Sequence, residues 1–401
     1  MNDNLKNKKY LISSGCSYGQ IVTSLIDDRF SKYVDKNDDV FMIDLAKDSQ
    51  SSGYSADSII YCVNLLLTEG VDSKNIFVLN EWTTFNRTHE IFPSGVLSEI
   101  ESLNGNNPVI SYETETRYDY IDNTKQISSL LDLKKLTWKD SNNEVPISII
   151  DNLFYISPSN IVPKEFKNTP FKEWVLIMNK SMKVVSNETL MISYINNIVR
   201  LQNFLKLNKI KYKFHTINSQ FSYWNKSEFG HIEQTFQNPY ELTKKGMFHR
   251  KEHSEYINSL NESNDIVNAF PGCKSKFNEI DLSNFWFYEK NNYRFGGIDE
   301  YAFDNYGNYG YSCLRGVELE HLAHQLPTYC NHPEVPVYFL LAEELLEECE
   351  FINMKPNTKE IILSKIKEDS EADVSINDYV RSKLEMKEIV EKHLRFINRL
   401  I

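Results

Sequence analysis

The chain has 401 residues, of which 41% are hydrophobic, so it can bury a substantial core. Lys and Arg total 44 against 56 for Asp and Glu, which gives a formal net charge of −12. Because the sequence also contains no long basic run, this charge balance argues against nucleic acid as a partner. No stretch is apolar enough to span a bilayer, and the polar first residues do not resemble a secretion signal.

Cysteine usage indicates a reducing compartment. The six cysteines are scattered and form no Cys-x-x-Cys pair, which argues against a zinc ribbon or a disulfide scaffold. We therefore expect a cytoplasmic protein, or part of a virus particle, with no membrane segment and no structural metal.

The first 80 residues predict alternating strands and helices. Short apolar runs at residues 10–12, 40–45 and 75–79 are typical of buried strands. Between the second and third runs lies an apolar-periodic helix, for which Ser55 is the predicted N-cap and Gly70 the predicted stop. This alternation indicates an α/β fold with a central parallel sheet covered by helices.

The rest of the chain alternates between regular and irregular regions. We predict a helix at 187–207 capped by Ser186, a strand at 210–214 and a helix after Pro333. The regions at about 91–180 and 218–329 are interpreted as large insertions within an α/β domain spanning 1–350. Residues 351–401 are predicted to be a helical C-terminal extension. Its apolar stripe is typical of packing on its own domain, on a second copy of the chain or in a particle.

A candidate site follows the first predicted strand, in the segment Ser13-Ser14-Gly15-Cys16-Ser17. A small residue before a serine lets the backbone turn sharply and exposes the serine hydroxyl. The simpler interpretation is a strand-end turn without chemistry.

The residues Gly15-Cys16-Ser17 resemble the first block of the SGNH (GDSL-type) hydrolases, where that family has Gly-Asp-Ser. The segment Cys330-Asn331-His332-Pro333 is similar to the Asp-x-His-Pro block that precedes the family's last helix. Residues 80–87, Asn-Glu-Trp-Thr-Thr-Phe-Asn-Arg, resemble a divergent, phage-like branch in which Trp-Thr followed by Arg replaces the third block. The resemblance implies a three-layer α/β/α sandwich with a central parallel sheet of SGNH or flavodoxin-like type.

The resemblance also implies a chemistry. Ser17 would be the nucleophile and His332 its base, because a serine hydroxyl needs a base within hydrogen-bond reach. The oxyanion would be held by Gly53 with Thr83 or Asn80. The expected substrate is an acetyl or acyl ester, for instance of a glycan, and no cofactor or metal is required.

One departure from the family pattern leaves a second function open. Cys330 stands where the family has Asp, and a thiol neither orients an imidazole well nor stabilises its charged form. Asp304, or its neighbours Asp299 and Glu300, could supply the carboxylate instead. The alternative hypothesis is a catalytically degenerate SGNH fold that serves as a structural or adhesive protein, for example in a phage virion.

Three other features predict ordinary structure rather than a site. His249 to His253 match the pattern His-x-x-Glu-His, but this stretch is strongly charged, which favours a solvated helix. His321 and His324 are expected to be a surface pair. The aromatic residues of 285–311 are predicted to pack in the core and loops, with sugar stacking or a lid as the alternatives.

Overall fold

In a computed structural model of the chain, the structure describes residues 6–16, 19, 21–26, 31–36, 40–46, 50–85, 90–93, 109–113, 117–118, 134–140, 143–150, 153–156, 185–217, 221, 270–289, 295–298, 301–302, 305 and 335–364. The strands are β1 (Lys9–Ser14), β2 (Val34–Lys36), β3 (Val40–Asp44), β4 (Ile76–Trp82), β5 (Glu90–Pro93), β6 (Val109–Glu113), β7 (Arg117–Tyr118), β8 (Lys134–Asp140), β9 (Asn143–Ile150), β10 (Leu153–Ile156), β11 (Lys211–Thr216) and β12 (Ile352–Met354). The helices are α1 (Ile21–Ile26), α2 (Ser52–Thr68), α3 (Asn187–Leu207), α4 (Lys274–Phe277) and α5 (Val335–Leu345).

A five-stranded sheet has the order β11-β4-β1-β3-β7. The strands β11, β4, β1 and β3 pair in parallel, and β7 pairs antiparallel to β3 at one edge. The predicted strands at 10–12, 40–45, 75–79 and 210–214 are those four parallel strands, with small differences in length. The prediction of a general α/β fold with a parallel sheet is therefore confirmed.

Two large hydrophobic clusters of described residues lie on the two faces of β1, because alternate residues of a strand point to opposite faces. Tyr10 and Ile12 of β1 enter one cluster with Ile59 of α2 and Ile195 of α3. Leu11, between them, enters the other cluster with residues of α1 and α5. All three of these side chains are fully buried, which explains why no charged residue interrupts β1 between Lys9 and Ser13.

The predicted start of α2 is wrong, whereas its predicted end is correct. The helix begins at Ser52, because the Ser51 side chain accepts a hydrogen bond from the Tyr54 backbone N–H and caps it. Ser55 lies inside the first turns, where its hydroxyl donates to the Ser51 carbonyl. At the other end Gly70 has φ +89°, the left-handed conformation in which glycine commonly ends a helix.

The predicted insertion at about 91–180 contributes strands to two sheets. Its strands form a second, antiparallel sheet of order β5-β10-β9-β8-β6. Short strand-like segments, such as residues 147–156, are apparent in its sequence, and that segment forms parts of β9 and β10. The two-residue strand β7 instead joins the main sheet, which no local pattern indicated.

The extension predicted at 351–401 does not begin as a helix. Residues 352–354 form strand β12, which pairs antiparallel with β2 and places Ile352 in the second hydrophobic cluster. Residues 358–364 are helical, and the apolar stripe predicted further along lies outside the described residues. Among the described helices, none is long and apolar enough to cross a membrane.

The described aromatic residues after 284 pack into the core. Phe285 forms a parallel bridge with Phe214, and the Trp286 backbone N–H donates to the Phe214 carbonyl at 2.8 Å. Phe285, Trp286 and Tyr288 are buried. For these residues, the prediction of core packing is confirmed.

Replacing Ser51 by Ala tests the observed start of α2. We expect Ser51→Ala to lower the free energy of unfolding by about 1 kcal/mol, because it removes the N-cap acceptor. Ser55→Ala is the matched control and should change that free energy by about 0.5 kcal/mol or less, since Ala favours helix interiors. Urea denaturation measures both values. A larger loss for Ser55→Ala than for Ser51→Ala would contradict this helix start.

Candidate functional site

The order of the parallel strands reverses at β1. From β1 the chain proceeds to β3 on one side and then crosses to β4 on the other side. In open α/β sheets, ligands bind outside the carboxyl ends of the strands that flank such a reversal. The carboxyl ends of β1 and β4 are therefore the place to look for a site.

The residues after β1 form a closed turn. Gly15 has φ +156°, which side chains rarely allow, and a Cβ there would lie 2.8 Å from the Cβ of Glu81. The Gly19 backbone N–H then donates to the Cys16 carbonyl at 2.9 Å, which closes the turn that begins with Gly15 and ends with Gly19. The prediction of a sharp turn after the first strand is confirmed. Ser17, the predicted nucleophile between these two residues in sequence, lies outside the described residues.

A buried carboxyl stands beside this turn. The Cys16 thiol donates a hydrogen bond to Glu81 Oε1 at 3.2 Å, and both side chains are buried. Glu81 also acts at a distance: its charge, after the larger effect of burial, raises the pKa of Tyr194 well above the ordinary value.

Two of the predicted oxyanion residues lie at the carboxyl end of β4 and immediately after it. Asn80 and Thr83 are fully buried. The amide nitrogen and oxygen of Asn80 and the hydroxyl of Thr83 find no hydrogen-bond partner among the described residues. Burying such a group without a partner costs about 1–3 kcal/mol. Buried polar side chains that lack a hydrogen-bond partner and lie at a strand-order reversal are candidates for binding a ligand.

The end of β11 adds polar groups that the sequence analysis did not identify. His215 is in register with Glu81, and Thr216 with Trp82. Neither His215 Nδ1 nor the Thr216 hydroxyl has a partner within the described part of the chain. Burial lowers the pKa of His215 to about 3, so its imidazole is neutral near pH 7. The signal in the sequence that could have identified them is their position, because both residues directly follow the alternating segment 210–214 that predicted the fourth parallel strand.

At the end of β3, a second buried carboxyl has a structural role. Asp44 Oδ1 accepts hydrogen bonds from the Ser13 hydroxyl at 3.1 Å and the Ala46 backbone N–H at 2.9 Å. These bonds join the carboxyl ends of β1 and β3. On the other face of β1, the hydroxyls of Ser14 and Ser58 lie 3.1 Å apart and connect β1 to α2.

Gly53, the third predicted oxyanion residue, is in the first turn of α2 rather than before the helix. Its carbonyl accepts a hydrogen bond from Arg200 of α3 at 3.5 Å, and Arg200 pairs with Asp57 at 2.7 Å. Asn197 of α3 donates to the Ser52 hydroxyl at 3.2 Å. These contacts fix the amino end of α2, where the unpaired backbone N–H groups favour negative charge.

Several residues of the predicted site belong to parts of the chain that the structure does not describe. These residues are His332, Cys330 and Asp304. The histidines of the charged stretch, His249 and His253, and the predicted surface pair, His321 and His324, also lie outside the described residues. Within the described ranges, no group of three or more His, Cys, Asp or Glu residues is arranged to hold a metal ion.

A groove of about 780 Å³ lies elsewhere, between the 282–289 segment and α5. Its lining includes the exposed acidic side chains Glu343, Glu344 and Glu347. It includes none of the buried polar residues at the ends of β1 and β4. Because its lining is separate from the strand-order reversal, we do not place the site there.

The depressed pKa of His215 predicts a specific dependence of stability on pH. Above the unfolded-state pKa of 6.5 both states are neutral at this residue, so it adds no pH dependence. Below pH 6.5 the unfolded chain binds a proton that folded His215 does not, and the free energy of unfolding falls. Between pH 6.5 and 5 this residue removes up to about 2 kcal/mol. Urea denaturation at both pH values should show that His215→Gln lacks this loss, whereas equal losses in both proteins would refute it.

Comparison of this chain with protein-family models, with curated proteins and with solved structures finds no match.

Proposed function

We propose that this protein is an SGNH-type serine hydrolase that cleaves acetyl or acyl esters, with Ser17 as nucleophile and His332 as base. One observation carries the proposal. The closed Gly15–Gly19 turn ends β1 at the strand-order reversal, and the unpartnered Asn80 amide is in register with Ser14 at the same edge.

The topology of the sheet supports this class of fold. Numbered along the chain, the four parallel strands have the spatial order 2-1-3-4, which is the start of the flavodoxin-like order. The two hydrophobic clusters also agree with helices on both faces, as in a three-layer α/β/α sandwich. Fold alone does not imply activity, so the argument depends on the side chains at the reversal.

In the proposed reaction, the Ser17 hydroxyl oxygen attacks the ester carbonyl carbon while His332 accepts the hydroxyl proton. The resulting oxyanion takes hydrogen bonds from the Gly53 backbone N–H and from the Asn80 amide or the Thr83 hydroxyl. The C–O bond to the alcohol breaks, and His332 returns the proton to the leaving oxygen. Water then attacks the acyl-enzyme by the same route and releases the acid.

The carboxyl group beside the turn favours an uncharged substrate. Glu81 contacts Gly15 and Cys16, and bringing the anionic group of a phosphate or sulfate ester next to a carboxyl would either repel its charge or force it to be protonated. A neutral acetyl ester on a glycan hydroxyl fits this environment. The orienting group for His332 would be Asp304 or Cys330.

Hydrolysis of a short-chain nitrophenyl ester tests the nucleophile and the base. We expect Ser17→Ala and His332→Ala each to lower kcat/KM by about 10³-fold, because the two residues act as a unit. Ser283→Ala, on the exposed surface, is the control and should match the wild type. Equal background rates for wild type and Ser17→Ala would overturn the esterase proposal and leave a binding or assembly role for the fold.

The oxyanion assignment is tested separately. Asn80→Ala is expected to lower kcat by about 10²-fold with KM little changed, since an oxyanion donor acts mainly in the transition state. Thr83→Ser keeps the hydroxyl and should retain most activity, whereas Thr83→Val removes it. If both Asn80→Ala and Thr83→Val retain the wild-type kcat, neither side chain binds the oxyanion.

A further inference from the structure

We propose that Glu81 is a positioning residue: its buried carboxyl holds the turn from Gly15 to Gly19 and thereby orients the hydroxyl of Ser17. The second half of this inference rests on the proposed function. The first half concerns the turn alone and is testable without any activity.

The first step is packing. A Cβ at Gly15 would lie 2.8 Å from Glu81 Cβ and 2.9 Å from Glu81 Oε2. A Cβ at Gly19 would lie 3.5 Å from the same Oε2 and 2.8 Å from Ala46 Cβ. The turn therefore begins and ends with a glycine that comes close to one carboxyl group. Glycine has no side chain, so at both positions the backbone can come close to the Glu81 side chain.

The second step is hydrogen bonding. Between the two glycines, the Cys16 thiol donates to Glu81 Oε1 at 3.2 Å, and the Cys16 carbonyl accepts from Gly19 N–H at 2.9 Å. Cys16 is thus held by its side chain and by its backbone. Because Cys16 directly precedes Ser17 in the chain, fixing Cys16 restricts the direction in which the chain enters Ser17.

The third step is the rigidity of the support. Glu81 belongs to β4, which pairs on one side with β1 and on the other with β11. Its flanking residues Asn80 and Trp82 are buried as well. A side chain on an interior strand is held more rigidly than one on a loop, which is what positioning a reactive group requires.

Hydrogen–deuterium exchange of peptides covering residues 10–20 tests the turn. We expect Glu81→Ala to accelerate exchange in this segment by about tenfold or more, and Cys16→Ala by a smaller factor, while α3 stays protected. Glu81→Gln should stay within about twofold of wild type, because the amide oxygen still accepts the thiol hydrogen bond.

Glu188→Ala is the matched control. Like Glu81, Glu188 packs against a glycine, Gly272, and its carboxyl accepts a hydrogen bond, here from the Gly272 backbone N–H at 2.8 Å. Its removal should loosen 270–273 and leave 10–20 unchanged. The inference is overturned if Glu81→Ala and Cys16→Ala both exchange like wild type in 10–20. It is equally overturned if Glu188→Ala accelerates that segment as much as they do.

Kinetics with the nitrophenyl ester separate this inference from the proposed function. If Ser17→Ala abolishes activity, Glu81→Ala should lower kcat by about 10²-fold with little change in KM, and Glu81→Gln should restore most of it. Wild-type kcat in Glu81→Ala would then refute the positioning role. If wild type and Ser17→Ala are equally inactive, the esterase proposal fails, and the exchange measurements alone decide whether Glu81 holds the turn.

Discussion

The close approach of the Gly15 backbone to the Glu81 side chain is the contact on which the candidate site depends. It follows from the parallel pairing of β1 and β4, which sets Ser14 opposite Asn80. The residues that come next in the chain, Gly15 and Glu81, are therefore brought together. The space left between them admits glycine and no larger residue without a shift. The sheet register thus determines both the glycine and the place where the chain leaves β1.

The interior of the sheet stabilises this arrangement. Tyr10, Leu11 and Ile12 are fully buried, and burying each such side chain contributes about 1.5–3 kcal/mol. At the carboxyl ends, burying Asn80 or Thr83 without a partner costs about 1–3 kcal/mol each. Stability that is lost at one edge of a fold and compensated by its core is typical of functional sites.

Local patterns were enough to predict the parallel strands, because three of them are short apolar runs and the fourth, at 210–214, alternates apolar and polar residues. They were also enough for α3, whose start at Ser186 is a side-chain cap. They failed for α2, where several serines precede the apolar residues and only the hydrogen bond to Tyr54 identifies Ser51 as the cap.

The other features that the sequence did not predict depend on pairing between residues far apart in the chain. A strand as short as β7 carries no periodicity, and it forms because β3 offers it an edge. The same limit applies to the site. Asn80 and Thr83 were identified from the sequence because residues 80–87, which follow an apolar run, resemble a block of a known family. The juxtaposition of Cys16 with Glu81, and of Glu81 with His215, depends on the register of strands that are far apart in sequence.

The contact between positions 16 and 81 bears on one difference between this chain and the SGNH pattern that it resembles in sequence. The family has Asp before its serine, whereas this chain has Cys16, whose thiol donates to the Glu81 carboxyl. Carboxylates at both positions would place two like charges in buried contact, which raises the free energy of the ionised pair. A thiol avoids that repulsion and supplies the hydrogen that the carboxyl oxygen accepts. On this argument Cys16 suits its place beside Glu81, because it supplies the buried carboxyl with a hydrogen-bond donor that carries no charge.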